Sequence, residues 1–372
     1  MTTLADLTTL RVGGPAARLV ETTTADDLVT AVRDADDAGT PVLVLGGGSN
    51  LLVADAGFDG LVVRDARRGI RAQADSSCAG AAVDVPAGQP WDDVVAEAVE
   101  QGWMGVEALS GIPGSTGATP VQNVGAYGQE VAETLSSVTV YDRARRRVRM
   151  LAVGELGLGY RTSVLKRSVA DPEAGDGRTW GPTGRYVVLD VHLQLRLATL
   201  SAPVRYAELA RTLGVATGAR VPSAEVRAAV LDLRRGKGMV LDDADPDTWS
   251  AGSFFTNPVL ANGEADALLP EDAPRFPVTD HTRIGQIGGA APAVPGLVKT
   301  SAAWLITRAG FDKGFGLPGP AALSTKHPLA VTNRGGARAE DVLALAREVR
   351  DGVRARFGIE LVPEPVLVGA AL

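Results

Sequence analysis

The chain is poor in the residues that metal and disulfide chemistry require. Of its 372 residues, one is cysteine and three are histidine. Cys78 cannot close an intrachain disulfide, and one thiol cannot build a thiolate zinc site. His192, His281 and His327 lie far apart with no HExxH-type spacing, so no protein-held metal is expected. A lone cysteine fits a reducing cytoplasm. No apolar run reaches the roughly 18 residues that a membrane helix needs. Residues 1–6 lack the basic and apolar regions of a secretory signal. Positive charge is also in deficit, with 37 Lys and Arg against 44 Asp and Glu for a net charge of -7. The basic residues are dispersed apart from the run between Arg143 and Arg149, which argues against a nucleic-acid surface. That run reads as a solvated hairpin. A small anionic ligand stays open, because a pocket can be locally positive within an acidic protein. The expected partner is a small molecule, with neither nucleic acid nor membrane, and the expected state is a monomer.

Apolar residues and glycine are plentiful. Hydrophobic residues make up 45% of the chain, enough for two or three cores at this length. The first 70 residues read as a small α/β unit. A strand is predicted over 18–23, then a helix capped by Thr24 with Leu28, Val32 and Ala35 on one stripe. The continuous apolar run 41–45 reads as a buried strand, and another strand is predicted over 61–64. From 71 to about 214 strands dominate around one helix over 91–101. Residues 136–142 and 148–153 suggest a hairpin. Residues 186–197 alternate, with Val187, Leu189, Val191, Leu193 and Leu195 on one face. The Gly-, Pro- and Asp-rich stretch 168–184 reads as a mobile surface loop. A third region is expected over 215–355, with Ser223 capping a helix over 224–235, further helices over 302–309 and 339–357, a strand over 329–333, and an irregular segment over 284–296. A last strand is predicted over 360–368.

Two glycine-rich turns carry the chemistry. Gly46, Gly47, Gly48, Ser49 and Asn50 follow the buried strand directly, so backbone N–H groups can approach a pyrophosphate. This is not the usual GxGxxG dinucleotide fingerprint, and Leu51, Leu52 and Val53 continue as an apolar run rather than a helix. Taken alone, such a turn is more often structural. The second segment contains Ser110, Gly111, Ile112, Pro113, Gly114, Gly117 and Ala118, then Gln122, Asn123, Gly125, Ala126 and Tyr127. So many glycines together suit a loop wrapped around a cofactor.

With these turns come Gly159-Tyr160-Arg161-Thr162-Ser163-Val164-Leu165-Lys166, Gly252-Ser253-Phe254-Phe255-Thr256-Asn257-Pro258 and Leu361-Val362-Pro363-Glu364-Pro365. The spacing of the glycine turns resembles the FAD-binding fold of vanillyl-alcohol oxidase and its relatives. The whole set, over residues 8–369, resembles the UDP-N-acetylenolpyruvoylglucosamine reductase family. The resemblance implies an α+β chain with a two-subdomain FAD-binding fold (1–70 and 71–214), an α+β substrate-binding domain (215–355) and a C-terminal strand (356–372) returning to the active site. It implies FAD and NADPH as cofactors, with the residues of both glycine turns holding FAD. No His or Cys stands near the first turn, so the FAD is expected to be non-covalent. In that family NADPH reduces FAD, the flavin N5 hydride goes to the enolpyruvyl methylene carbon of a UDP-sugar, and a proton goes to the neighbouring carbon, giving UDP-N-acetylmuramate for peptidoglycan synthesis. By the same match Arg161 steadies the carboxylate, Glu364 stands on its other side, and Ser253 is the proton donor. Tyr206, Lys237, Asn257 and Lys326 match substrate or nucleotide contacts, and Tyr206 points to the subclass with a substrate-binding tyrosine loop. His327 could face the same nucleotide pocket. Thr256 departs from the pattern, standing where lysine is common, which puts one phosphate contact in doubt. Cys78 and His192 read as structural. Two alternatives remain: an FAD-dependent sugar or alcohol oxidase of the same fold, and a nucleotide-binding module without catalysis.

Overall fold

The computed structural model describes residues 2–76, 80–280 and 291–372; Cys78, His281 and the expected irregular stretch 284–290 lie outside the described residues. The first unit is a parallel three-stranded sheet in the order Ala16–Thr22, Phe58–Asp65, Val42–Leu45. Thr24 caps the helix Ala25–Asp37 by accepting from the Asp27 N–H, and Leu28, Val32 and Ala35 are the buried stripe. After the first glycine turn the chain runs as Leu51–Val53, which pairs in parallel with Val366–Val368. The C-terminal strand is therefore shorter than the predicted 360–368. Pro363 and Pro365 have no N–H to give a ladder, so only the residues after them pair with Leu51–Val53.

The second unit is an antiparallel sheet in the order Arg147–Ala152, Leu135–Asp142, Tyr186–Leu197, Gly80–Pro86, Arg71–Ser76, backed by the helix Trp91–Glu100. The long strand Tyr186–Leu197 does not keep one face, as its alternation suggests. Its register with Leu135–Asp142 jumps between Thr139, opposite Asp190, and Val140, opposite Val188. Leu189 is the extra residue, and a one-residue slip exchanges the two faces. Val187 and Leu189 therefore join the core of the first unit, while Val191, Leu193 and Leu195 join that of the second. One strand ties two cores together.

One surface expectation is corrected and another refined. Arg143 is buried rather than solvated: its guanidinium grips Asp36 and donates to the carbonyls of Thr183 and Gly184. The stretch 168–184 lies at the surface over much of its length, as expected, but it is fastened at several points. Ser168 is fully buried, and Trp180 is buried with its indole N–H on the Gly175 carbonyl and the guanidinium carbons of Arg143 and Arg178 4.7 and 3.5 Å from its ring centroid.

A third core gathers Phe254, Phe255, the helix Ala302–Arg308 and the 19-residue helix Ala339–Phe357, and it also takes in Leu10 and Val12 from the N-terminus. Ala293–Thr300 is a strand whose first half, 293–296, falls where irregular chain was expected. The helix Ser223–Gly236 belongs with the second unit's flank: Val226 and Val230 pack with Ala108 and Leu209, and Arg227 pairs with Asp92. Ser223 is its first residue and not its cap; Pro222 holds the cap position, and the buried Ser223 hydroxyl has no hydrogen-bond partner.

Candidate functional site

The two glycine turns touch each other backbone to backbone. A Cβ on Gly47 would stand 2.6 Å from Gly114 Cα, and one on Gly114 would stand 2.5 Å from Ser49 Oγ. Gly48 has φ +61° and packs on the Leu7 carbonyl, so no side chain fits there either. The second turn is fastened to the start of the helix Trp91–Glu100. The Trp91 N–H donates to the Gly114 carbonyl at 3.0 Å, and the Gly111 N–H donates to Asp92 Oδ1 at 2.6 Å. Both anchors lie in the first helical turn, where N–H groups are free and carboxylates are favoured.

Between the turns runs a cavity of about 340 Å³. Gly46, Gly47, Gly48, Ser49, Asn50, Ile112, Pro113, Gly117, Ala118, Gln122 and Gly125 line it. Ser110, Gly111, Gly114, Asn123, Ala126 and Tyr127 do not line it. Ser110 is buried and donates to the Glu107 carbonyl. Asn123, at φ +47°, accepts from the Ala132 N–H and donates to Glu130 and the Gly159 carbonyl. Bare backbone on both walls suits a ligand as long and flat as FAD.

At one end of the cavity four distant segments meet. Glu364 is held by its own backbone: its N–H donates to the Phe254 carbonyl, and the next N–H, that of Val366, donates to the Asn50 carbonyl. Its side chain accepts from Gln122 Nε2 at 3.1 Å, and Gln122 Oε1 accepts from Asn50 Nδ2 at 2.9 Å and Lys166 Nζ at 3.1 Å. Lys166 also donates to the Glu364 carbonyl. Arg161 sits in a tight turn closed by the Gly159–Thr162 bridge, with φ +55°. A non-glycine residue there is strained by about 1 kcal/mol or more. Its two terminal nitrogens donate to the carbonyls of Asn123 and Gly125, while its Nε lies 3.2 Å from Glu364 Oε1 without hydrogen-bond geometry. Ser253 lines the same cavity, one residue before the carbonyl that holds Glu364. The structure thus brings Arg161, Ser253 and Glu364 to one end of one cavity.

Charge there is tightly managed. Burial disfavours the Arg161 cation, yet Glu364, Tyr160 and Glu130 together hold it above its ordinary value. Burial pushes the Lys166 ammonium down, with Glu364 opposing and Arg161 adding to the shift. Arg234 was not singled out from the sequence. It lines the cavity, donates to the carbonyls of Gly111 and Met239, and is pushed down to about 10 by burial. It stays cationic at neutral pH. Its only sequence signal is a second arginine in a basic helix end, which reads as surface charge. Lys166 was visible in its motif and had no assigned role.

The substrate candidates divide. Tyr206 is half-exposed and meets Tyr127 edge-on at 5.5 Å; Lys237 Nζ stands 5.4 Å from the Tyr127 centroid and pairs with Glu208. His327 feels Lys237 and Lys313, and burial with these charges pushes it down to about 4. Lys326 pairs with Asp245. Asn257 Oδ1 accepts from the Ala302 N–H at the start of a helix, and its own N–H donates to the Tyr160 hydroxyl. Thr256 and Asn257 line a second, neighbouring cleft that also includes Arg161 and Lys166. His192 bridges Asp84 and Thr139 on the sheet. Among the described residues no cluster of His, Cys, Asp or Glu could hold a metal, and no helix is long and apolar enough to cross a membrane.

Residues 16–150 match the family model described as FAD binding domain, and residues 245–368 match UDP-N-acetylenolpyruvoylglucosamine reductase, C-terminal domain. The UDP-N-acetylenolpyruvoylglucosamine reductase of Thermobifida fusca is 54% identical over 99% of this chain and 97% of its own. That of Saccharopolyspora erythraea is 57% identical over 99% of this chain and 95% of its own. The crystal structure of UDP-N-acetylenolpyruvylglucosamine reductase from Thermus caldophilus superposes with a TM-score of 0.62 at 27% identity, covering 99% of this chain and 97% of that one. The mixed α+β fold, the glycine-walled cavity and these likenesses agree, and the chain belongs to the UDP-N-acetylenolpyruvoylglucosamine reductase family.

Proposed function

We propose that this chain reduces UDP-N-acetylglucosamine enolpyruvate to UDP-N-acetylmuramate for peptidoglycan synthesis, with non-covalent FAD and NADPH. The observation that carries the reading is the meeting of Arg161 and Glu364 at 3.2 Å on the wall that also bears Ser253. When bound, FAD supplies the storage of a hydride between NADPH and the enolpyruvyl group.

The protein's own residues do the rest. Hydride addition to the alkene drives charge onto the conjugated carboxylate, which needs fixed donors where that charge develops. Arg161 is pinned by two backbone carbonyls and keeps Nε without a hydrogen bond. That Nε is ion-paired with Glu364 at 3.2 Å, so the guanidinium is fixed before a substrate carboxylate arrives. Glu364, locked by Gln122 and its own backbone, fixes that guanidinium from the far side. Ser253 delivers the proton; a hydroxyl is a weak acid, but an enediolate carbon is a strong base, so placement matters more than pKa. Arg234 and Lys166 add positive charge along the cavity wall. At the mouth Tyr206, Lys237 and His327 would meet the diphosphate, and Asn257 would contact the nucleotide from the second cleft. The lone cysteine supports a cytoplasmic setting, and a monomer is sufficient for a site built from one chain.

The test is spectroscopic and kinetic together. The purified protein should be yellow, release its flavin on denaturation, and oxidise NADPH under nitrogen beyond one equivalent per flavin only when the enolpyruvyl UDP-sugar is present. A colourless protein indifferent to added FAD would sink the reading. Oxygen-dependent turnover of a free sugar would favour the oxidase instead.

A further inference from the structure

The N-terminal segment joins two parts of the site that are far apart in sequence. On one side it meets the first glycine turn, where the Thr9 N–H donates to the Gly48 carbonyl at 3.2 Å. On the other side it meets the turn that bears Ser253, where the Thr9 hydroxyl donates to the Ser250 carbonyl at 2.7 Å. The Ser250 hydroxyl in turn accepts from the Gly252 N–H at 3.2 Å, and the Phe254 N–H donates to the Leu329 carbonyl at 2.7 Å. Ala251, Gly252 and Ser253 line the cavity from this turn, as Gly46, Gly47 and Gly48 line it from the other. Gly252, at φ +76° with open space where a Cβ would stand, leaves the turn pliable by itself. A tie from outside the turn is therefore what fixes it.

Thr9 is suited to that task because it is itself immobilised. It is buried, and Leu10 and Val12 beside it belong to the third core. Asn333 Nδ2 donates to the carbonyls of Leu10 and Arg11, and the Arg11 guanidinium carbon lies 4.2 Å from the Trp249 ring centroid. Arg11 keeps a left-handed φ of +56°, a conformation that persists where its surroundings over-determine it.

We propose that Thr9 is a positioning residue for proton delivery. Its backbone takes its register from the glycine turn, and its hydroxyl sets the Ser253 turn against that register. This rests on the readings of the cavity as an FAD site and of Ser253 as the proton donor. Proton transfer needs its donor within hydrogen-bonding reach, and a misplacement of about 1 Å can cost about 100-fold.

The experiment follows the two half-reactions of the full-length flavoprotein by anaerobic rapid mixing. Thr9→Val keeps the volume and the N–H to Gly48 but leaves the buried Ser250 carbonyl without its donor. The Kd for FAD and the rate of flavin reduction by NADPH should stay within about 2-fold, while reoxidation by the enolpyruvyl UDP-sugar should slow about 10-fold or more. The solvent deuterium isotope effect on reoxidation should rise as the proton step becomes limiting. Thr9→Ser, which keeps the hydroxyl, should reoxidise within about 2-fold of wild type. In a Ser253→Ala background Thr9→Val should add less than about 2-fold, because the group it positions is already gone. Unchanged reoxidation in Thr9→Val, equal slowing of both half-reactions, no rescue by Thr9→Ser, or additive loss in the double variant would overturn the assignment. Wild-type reoxidation in Ser253→Ala alone would instead overturn the proton-donor reading beneath it.

Discussion

Arg161 and Glu364 stand 3.2 Å apart, yet the guanidinium Nε that faces the carboxylate makes no hydrogen bond. Two backbone carbonyls hold the other nitrogens, and the residue pays for its position with a left-handed φ of +55°. An arginine so fixed, between two carbonyls and a carboxylate, is held in place for a planar anion that arrives later. Arg161→Lys keeps the charge but not the fork. Turnover with the enolpyruvyl substrate should fall at least about 100-fold, while flavin binding stays normal. A near-normal kcat would remove Arg161 from the carboxylate.

The contact between the glycine turns is a second point of stress. Gly47→Ala would set a Cβ 2.6 Å from Gly114 Cα, against backbone that cannot swing aside. Forcing the turns apart should cost about 1–3 kcal/mol of stability and weaken FAD by at least about 10-fold. Chemical denaturation and a flavin titration read both. A variant as stable and as tight as wild type would show that the turns do not need their contact.

Much of this architecture was legible from sequence because its causes are local. The helix Ala339–Phe357 and the strand Tyr186–Leu197 follow from apolar periodicity, and the glycine turns announce themselves by composition. What escaped depends on distant partners. The bulge at Leu189 changes the strand's face only because a register slips against Leu135–Asp142. Arg143 looks like surface charge until Asp36 and Trp180 are folded around it. Arg234 reads as a solvated helix end until Gly111 is brought beneath it. The hydrogen-bonded set of Asn50, Gln122, Lys166 and Glu364 comes from four separate segments, and neither the pattern nor the resemblance pointed to their meeting.

The two candidate substrate lysines should behave differently. Each is paired with a carboxylate, Lys237 with Glu208 and Lys326 with Asp245, but Lys237 also stands over the Tyr127 ring that meets Tyr206. Lys237→Met should raise KM for the UDP-sugar about 10-fold with a smaller change in kcat. Lys326→Met should leave KM within about 2-fold. Steady-state kinetics on the two variants decide it, and the reverse ranking would relocate the diphosphate.

His327 makes a pH prediction. Its folded value is pushed down to about 4 by burial and by Lys237 and Lys313, against an ordinary 6.5. The unfolded chain therefore binds the proton more readily between those values, and stability falls as pH drops from about 6.5 towards 4, by at most about 3 kcal/mol from this group. His327→Gln should flatten that part of the urea-midpoint profile. An unchanged slope would mean that the imidazole is not held neutral.

The central claim is that Ser253 supplies the proton at a site where Arg161 and Glu364 hold the substrate carboxylate. Anaerobic rapid mixing of Ser253→Ala tests it in two halves. Reduction of the bound flavin by NADPH should proceed at the wild-type rate, and reoxidation by the enolpyruvyl UDP-sugar should slow by about 10²–10⁴-fold or more. Reoxidation at the wild-type rate would contradict the account.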